Sequence, residues 1–212
     1  VDKINLDNIT LVAVTSVKIE ETLNALVDSC KGLKFNSVKL LTDVNCEKKG
    51  VDVYQIPKMS NVDEYSRFMV YDLADYIDTE FAITVQHDGW IINPDKWSDE
   101  FYKYDYIGAP WPLPNDNFSY RDPFNNIVRV GNGGFSFRSK KLMSLPKKLN
   151  LEWKPYYGFY NEDGFVAIHN KHILEQWGCK YPTPEIAAHF SQEIKTLECV
   201  GITPFGFHKY LP

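Results

Sequence analysis

The sequence contains few cysteines: Cys30, Cys46, Cys179 and Cys199 among 212 residues, none of them in a Cys-x-x-Cys pair. That density excludes a disulfide-stapled scaffold and points to a reducing compartment. No segment approaches the roughly 20 consecutive apolar residues of a membrane span. No signal peptide is visible at the start. The expectation is a cytoplasmic protein, with any membrane association made through regions outside this chain; its first residue is Val1 rather than Met, which leaves room for an anchor or a further domain. Positive charge is also in short supply. A net charge of −5 argues against a broad nucleic-acid surface. Residues 9–20 contain no glycine, and no glycine-rich stretch ends in Lys-Ser or Lys-Thr, so there is no phosphate loop and little to suggest a nucleotidyltransferase. Neither internal repeats nor linker composition divides the chain, and 212 residues suit one domain.

What is present is a globular composition, 44% hydrophobic and 24% charged, with aromatics at 15%. Aromatic residues fill cores, and they also line sugar sites, where the C–H face of a pyranose packs on a ring. Ile9 to Val14 is a continuous apolar-biased run that reads as a buried strand. Thr15 and Ser16 then offer a helix cap before Ile19, Leu23, Leu26 and Val27 repeat at helical spacing. Further strands are expected at residues 37–41, 51–56 and 81–85. Asn61 with Glu64 resembles a capping box, opening a helix with Tyr65, Met69, Leu73 and Tyr76 on one face. Strand and helix thus alternate through the first 90 residues, which predicts an α/β fold with a mostly parallel central sheet flanked by helices. Ligands of such sheets bind beyond the carboxyl ends of the strands, where Asp43 and Asp88 fall.

The second half is less regular. Short strands are expected at 104–108 and 135–138, and a proline-interrupted polar loop at 115–126. A helix is expected from Asp163 to Trp177, stopped by Gly178. The basic groups of Arg138-Ser139-Lys140-Lys141 and Lys147-Lys148 read as a solvated helix face or an acceptor-side patch. The division expected is a nucleotide-binding half, residues 1–100, followed by an irregular acceptor-side half, residues 101–212.

Four motifs carry candidate chemistry, and each has a plainer reading. Gln86-His87-Asp88-Gly89 closes the strand at 81–85. If it stays extended, Gln86 and Asp88 face one way, and Asp88 suits Mn²⁺ or Mg²⁺; the Asp-Gly pair equally signals a turn. In Gly131-Asn132-Gly133-Gly134 the missing β-carbons let a ligand approach the backbone, or make a bulge or hairpin turn. Glu162 and Asp163 fit the positive end of a helix capped by Asn161, or a general base for a hydroxyl nucleophile. His208, in Pro204-Phe205-Gly206-Phe207-His208, is a satisfied structural histidine or a ligand. His169 and His172 share helical spacing but no carboxylate pattern supports them as a metal pair.

In this order, together with Tyr104 to Trp111 and Val130 to Ser139, the motifs resemble a family of glycosyltransferase-like domains of unassigned function, similar to GT-A nucleotide-sugar transferases. The glycine segment followed by Glu-Asp is similar to that of the inverting, metal-dependent β-1,4-galactosyltransferases. The resemblance implies a nucleotide-sugar donor, UDP-linked by preference, and a glycan or polysaccharide hydroxyl as acceptor. It places Gln86-His87-Asp88 on the Asp-x-Asp motif, with Asp88 on Mn²⁺ or Mg²⁺ and His208 completing the metal shell. Gln86 is a departure, since an amide brings no charge. Gly133 and Gly134 would lie against donor sugar or acceptor, and Asp163 would be the base, with Glu162 second. Thr15, Asp43 and Arg67 would lie near base, ribose and diphosphate. The competing reading is a sugar- or nucleotide-binding module without turnover. A glycoside hydrolase would need paired carboxylates at a set separation, which fits a nucleotide-type sheet poorly.

Overall fold

The computed structural model describes residues 3–154 and 161–210. In the first half β1 (Ile4–Val14), α1 (Ile19–Ser29), β2 (Leu33–Thr42), β3 (Asp52–Gln55), α2 (Val62–Tyr71) and β4 (Phe81–Thr84) alternate as expected. The second half contributes β5 (Tyr106–Ile107), β6 (Ala109–Pro110), β7 (Val130–Gly131), β8 (Ser136–Ser139) and α3 (Lys140–Lys148). Then come α4 (Glu162–Gly164), α5 (Lys171–Gln176), α6 (Pro184–Phe190), β9 (Ser191–Gln192) and β10 (Gly206–Phe207). The central sheet runs β3-β2-β1-β4-β8-β5. Its first four strands are parallel, β8 is antiparallel to β4, and β5 is antiparallel to β8.

Strands buried on both faces sort their side chains by alternation. Leu11 and Ala13 of β1, with Phe81 and Ile83 of β4, meet Leu23 and Leu26 of α1. Val12 and Val14, with Ala82, face the other way onto Met69 of α2 and Met143 of α3. Each fully buried Leu, Ile, Val, Phe or Met side chain among these contributes about 1.5–3 kcal/mol, the alanines less. Among the described residues no helix is long and apolar enough to cross a membrane.

Several local expectations change. Thr15 does not cap α1: its hydroxyl bonds Val17 N and O in a turn, and the helix opens at Lys18 in the left-handed region, φ 49°. The capping box at Asn61 forms in modified shape, Asn61 Oδ1 accepting from Glu64 N at 2.9 Å while Glu64 Oε2 reaches back to Ser60 N at 2.6 Å. The helix expected from Asp163 to Trp177 is not continuous. α4 passes into a π-helical turn, Phe165–His169, and breaks at Asn170 before α5. Both Asn170 N and Asn170 Nδ2 bond to Phe165 O, at 3.0 and 3.2 Å, and this local side-chain bond competes with the regular ladder. The loop at 115–126 is tied by two aspartates. Asp116 accepts from Phe118 N and Ser119 N at 2.9 and 2.6 Å, and Asp122 from Phe124 N and Asn126 N at 2.9 and 2.8 Å.

Candidate functional site

β4 ends at Thr84, and residues 86–89 are not extended. Gln86 and Gly89 exchange both backbone hydrogen bonds, at 3.0 and 3.1 Å, so the motif is a tight turn that still presents its side chains. The C-terminal segment is laid across this turn. β10 pairs with β9, Phe207 N donates to Trp90 O, and Lys209 N donates to Asp88 O at 2.6 Å. His208 is thereby buried against the turn. Its Nδ1 lies 3.1 Å from Glu193 Oε1, and its Nε2 lies 3.2 Å from Gln86 Oε1 and 3.5 Å from Asp88 Oδ1. Burial opposes its positive charge, but the Asp88 and Glu193 carboxylates win and raise the His208 pKa. The imidazole in turn holds the Asp88 carboxyl below its usual range. Asp88 Oδ1 is itself buried and makes no hydrogen bond.

The glycine motif acts by what it omits. A β-carbon on Gly134 would stand 2.1 Å from His208 Nε2, and one on Gly133 would stand 1.6 Å from Glu162 Oε1. The missing β-carbons therefore make room for protein: an imidazole and a carboxylate pack where those carbons would stand. Glu162 is buried and ion-paired to Arg138, Nη2 to Oε1 at 2.8 Å. Arg138 was expected on a solvated face. Instead it is 1% exposed, because β8 is internal to the sheet and its alternation aims this side chain inward. Burial works against its charge, and Glu162 keeps the guanidinium pKa above its usual value.

Asp163 is placed differently from its neighbour. Its carboxylate accepts from Gly164 N at 2.7 Å and Gly133 N at 3.3 Å, and it lines a cleft of about 350 Å³ with Trp111, Tyr120, Arg121, Glu193 and Lys209. Burial first, and the adjacent Glu162 charge second, push its pKa up to about 7. A half-buried carboxylate tuned that far upward is poised to take a proton near neutral pH.

With the Asp163 cleft taken as the second cavity, the first, of about 320 Å³, opens at the carboxyl ends of β1 and β4, lined by Thr15, Ser16, Asn61, Tyr65, Gln86 and His87 among others. Lys18 Nζ lies 3.1 Å from His87 Nε2 at its edge. Gln86 joins the two sites: its Nε2 donates to Tyr65 Oη at 2.8 Å, and its Oε1 meets His208, which leads through Glu193 to the Asp163 cleft.

Thr15, Gln86 and His87 thus share the first cavity, and Asp88 and His208 stand together beside Gln86. Three expected residues are elsewhere. Glu162 lines neither cavity, since Arg138 engages it. Asp43 follows the end of β2, one strand over, and is not on the cavity wall, though its Oδ1 is buried without a hydrogen bond. Arg67 is exposed on α2, where its charge acts on Tyr71, away from the cavity. Sequence reasoning missed Arg138, Glu193 and Tyr65. Arg138 had a signal in Phe135-Ser136-Phe137-Arg138, an alternating strand whose phenylalanines face one layer and whose serine and arginine face another; Glu193 had none.

The model of the family described as protein of unknown function (DUF5672) matches residues 50–208. The chain belongs to that family. No curated protein matches it. Among solved structures it is similar to a glycosyltransferase involved in the glycosylation of the major capsid of PBCV-1, with a TM-score of 0.52 and 13% sequence identity. That likeness covers 94% of this chain and 91% of the other. At such low identity it is a likeness of fold, and the α/β architecture with a mostly parallel sheet is that of a glycosyltransferase-like fold.

The residues beside Gln86 also bear on a metal. Asp88 offers a carboxylate with an orphaned oxygen, His208 an imidazole whose far nitrogen is held by Glu193, and Gln86 an amide oxygen. This oxygen-rich set fits a hard divalent cation. No cluster of three or more His, Cys, Asp or Glu able to hold a metal occurs among the described residues, so such an ion would draw further ligands from a donor's phosphates.

Proposed function

We propose that the chain is a glycosyltransferase that moves a sugar from a nucleotide-diphosphate sugar, UDP-linked by preference, to a hydroxyl of a glycan acceptor with inversion. The observation that carries this reading is the pairing of two cavities across one hydrogen-bonded chain, Tyr65–Gln86–His208–Glu193, with a base-like Asp163 in the second cavity. The first cavity would take the nucleotide, with Thr15, Gln86 and His87 on its wall, at the strand ends where α/β sheets bind ligands. The acceptor would occupy the Asp163 cleft. In the reaction the acceptor oxygen bonds to the anomeric carbon and its proton passes to the Asp163 carboxylate. The anomeric C–O bond to phosphate breaks, and its electron pair leaves with the nucleoside diphosphate.

Asp88, His208 and Gln86 would hold Mn²⁺ or Mg²⁺. When bound, that ion supplies charge stabilisation to the leaving diphosphate. Glu162, neutralised by Arg138, positions Asp163 and raises its pKa rather than acting as a second base. Gln86, uncharged where the resemblance calls for Asp, favours one further reading: a module that binds nucleotide sugar without turning it over. Thermal-shift titration with UDP-, GDP- and other nucleotide sugars, with and without Mn²⁺, tests the proposal. A stabilising donor whose effect depends on Mn²⁺ and is lost in Asp88→Ala is expected. Equal shifts with and without metal in the wild type would overturn the metal assignment, and binding with no hydrolysis or transfer would favour the module.

A further inference from the structure

One residue on the Asp163 cleft is held in a conformation that its type rarely adopts. Tyr120 has φ 56°, in the left-handed region, where a bulky side chain is strained. The surrounding structure over-determines it. Val128 N donates to Tyr120 O at 2.7 Å, and Arg121 bridges to Ile127 beyond it. The Tyr120 ring stacks on Trp111 with centroids 4.8 Å apart and planes at 17°. Trp111 is itself fixed from behind. It lies over Gly131, where a β-carbon would stand 1.8 Å from the indole, and its backbone bonds to Arg129 on both sides. Arg129 is in turn held by Glu198 through two hydrogen bonds, at 2.7 and 3.0 Å.

Rigid support behind one face of an aromatic ring, at the expense of backbone strain, has a use if the remaining ring surface receives a ligand. Trp111 takes one face of Tyr120, so what the cleft meets is the rest of the ring. The Tyr120 hydroxyl has no hydrogen bond among the described residues. Polar groups surround this apolar surface: Asn161, Ser119, Asp163, and Arg121, whose Nε is buried without a partner. A flat apolar platform rimmed by donors and acceptors matches the amphipathic surface of a pyranose, apolar on its axial C–H face and polar at its edge.

We propose that Tyr120 is the platform on which a pyranose ring of the ligand in this cleft stacks, C–H face down, with its edge hydroxyls toward Asp163 and Arg121. The word acceptor for that ligand rests on the transferase reading; the stacking site does not. Saturation-transfer difference NMR with methyl glucoside, methyl galactoside and methyl N-acetylglucosaminide at about 10 mM tests it, in the range of weak saccharide affinity. At least one glycoside should receive saturation in the wild type, strongest at the C–H protons of one ring face. Tyr120→Phe, which keeps the ring, should retain binding. Tyr120→Ala should weaken it about tenfold or more while unfolding remains cooperative. Absence of transfer from every glycoside overturns the proposal, as does equal binding by Tyr120→Ala. Should Tyr120→Ala fail to fold, Tyr120→Leu at the same position reads the same loss of the flat face. UDP binding, followed separately, isolates the donor reading: if UDP does not bind while a glycoside stacks, the transferase reading falls and the platform stands.

Discussion

Gly134→Ala would place a methyl group 2.1 Å from His208 Nε2, 2.4 Å from Cδ2 and 2.5 Å from Cε1. Contacts below 3.0 Å force a displacement, so the imidazole must move by about an ångström or more. It has little freedom to do so, being buried and held at both nitrogens by Glu193 and Gln86. Displacement breaks those two interactions. Hydrogen bonds to charged groups are worth about 1.5–3 kcal/mol each and neutral ones about 1 kcal/mol. Glu193 keeps Lys209 Nζ at 2.8 Å, which limits the charge left unpaired. The expected loss is about 3 kcal/mol, or a fall in Tm of about 6–12 °C for a chain of this size. Gly164→Ala is the control: it meets nothing nearer than 3.5 Å, and its backbone is helical, so it should be neutral or stabilising by about 0.5 kcal/mol. Urea unfolding of the two variants measures both effects. A loss below about 1 kcal/mol for Gly134→Ala would refute the idea that this glycine exists to admit the imidazole.

Arg138→Met should destabilise by about 3–5 kcal/mol, because it strands the buried Glu162 carboxylate, whereas Arg138→Met with Glu162→Gln should recover much of that loss; additive losses in denaturant titrations would count against the pair. Asp163 should impose a pH slope on stability. Its pKa rises from 3.8 to about 7 on folding, so between those values the folded chain holds a proton that the unfolded chain has released. Its contribution therefore falls as pH rises through that window. Asp163→Asn should be more stable than wild type at pH 8, by on the order of 1–2 kcal/mol given partial exposure, with the gap closing below about pH 4. A pH-independent difference in Tm would show that the carboxylate is not tuned this way.

The strand–helix alternation was legible because each buried strand and amphipathic helix in the first half carries its own period, and parallel crossovers leave few ways to assemble them. β1 to β4 and their two crossover helices follow from that pattern. The break at Asn170 did not, because it depends on one side chain preferring a carbonyl five residues back. At the site, His208 was findable from its motif, and Asp88 from its place after a strand. What the glycines do was not legible. Gly133 and Gly134 read as room for a ligand or as a turn, and only the packed chain reveals Glu162 and His208 where their β-carbons would stand. Arg67 and Asp43 were placed by position along the chain, and position does not say which way a helix or strand end turns. Glu193 and Tyr65 become neighbours of the motif only through contacts far apart in sequence.

The central claim is that Asp163 accepts the acceptor's proton during sugar transfer. The most direct measurement is turnover of the nucleotide sugar found by thermal shift, compared between wild type and Asp163→Asn, with donor affinity measured on the same samples. The account predicts transfer reduced about 100-fold or more with donor affinity unchanged, the size expected for removal of a general base. Unchanged turnover in Asp163→Asn would contradict it.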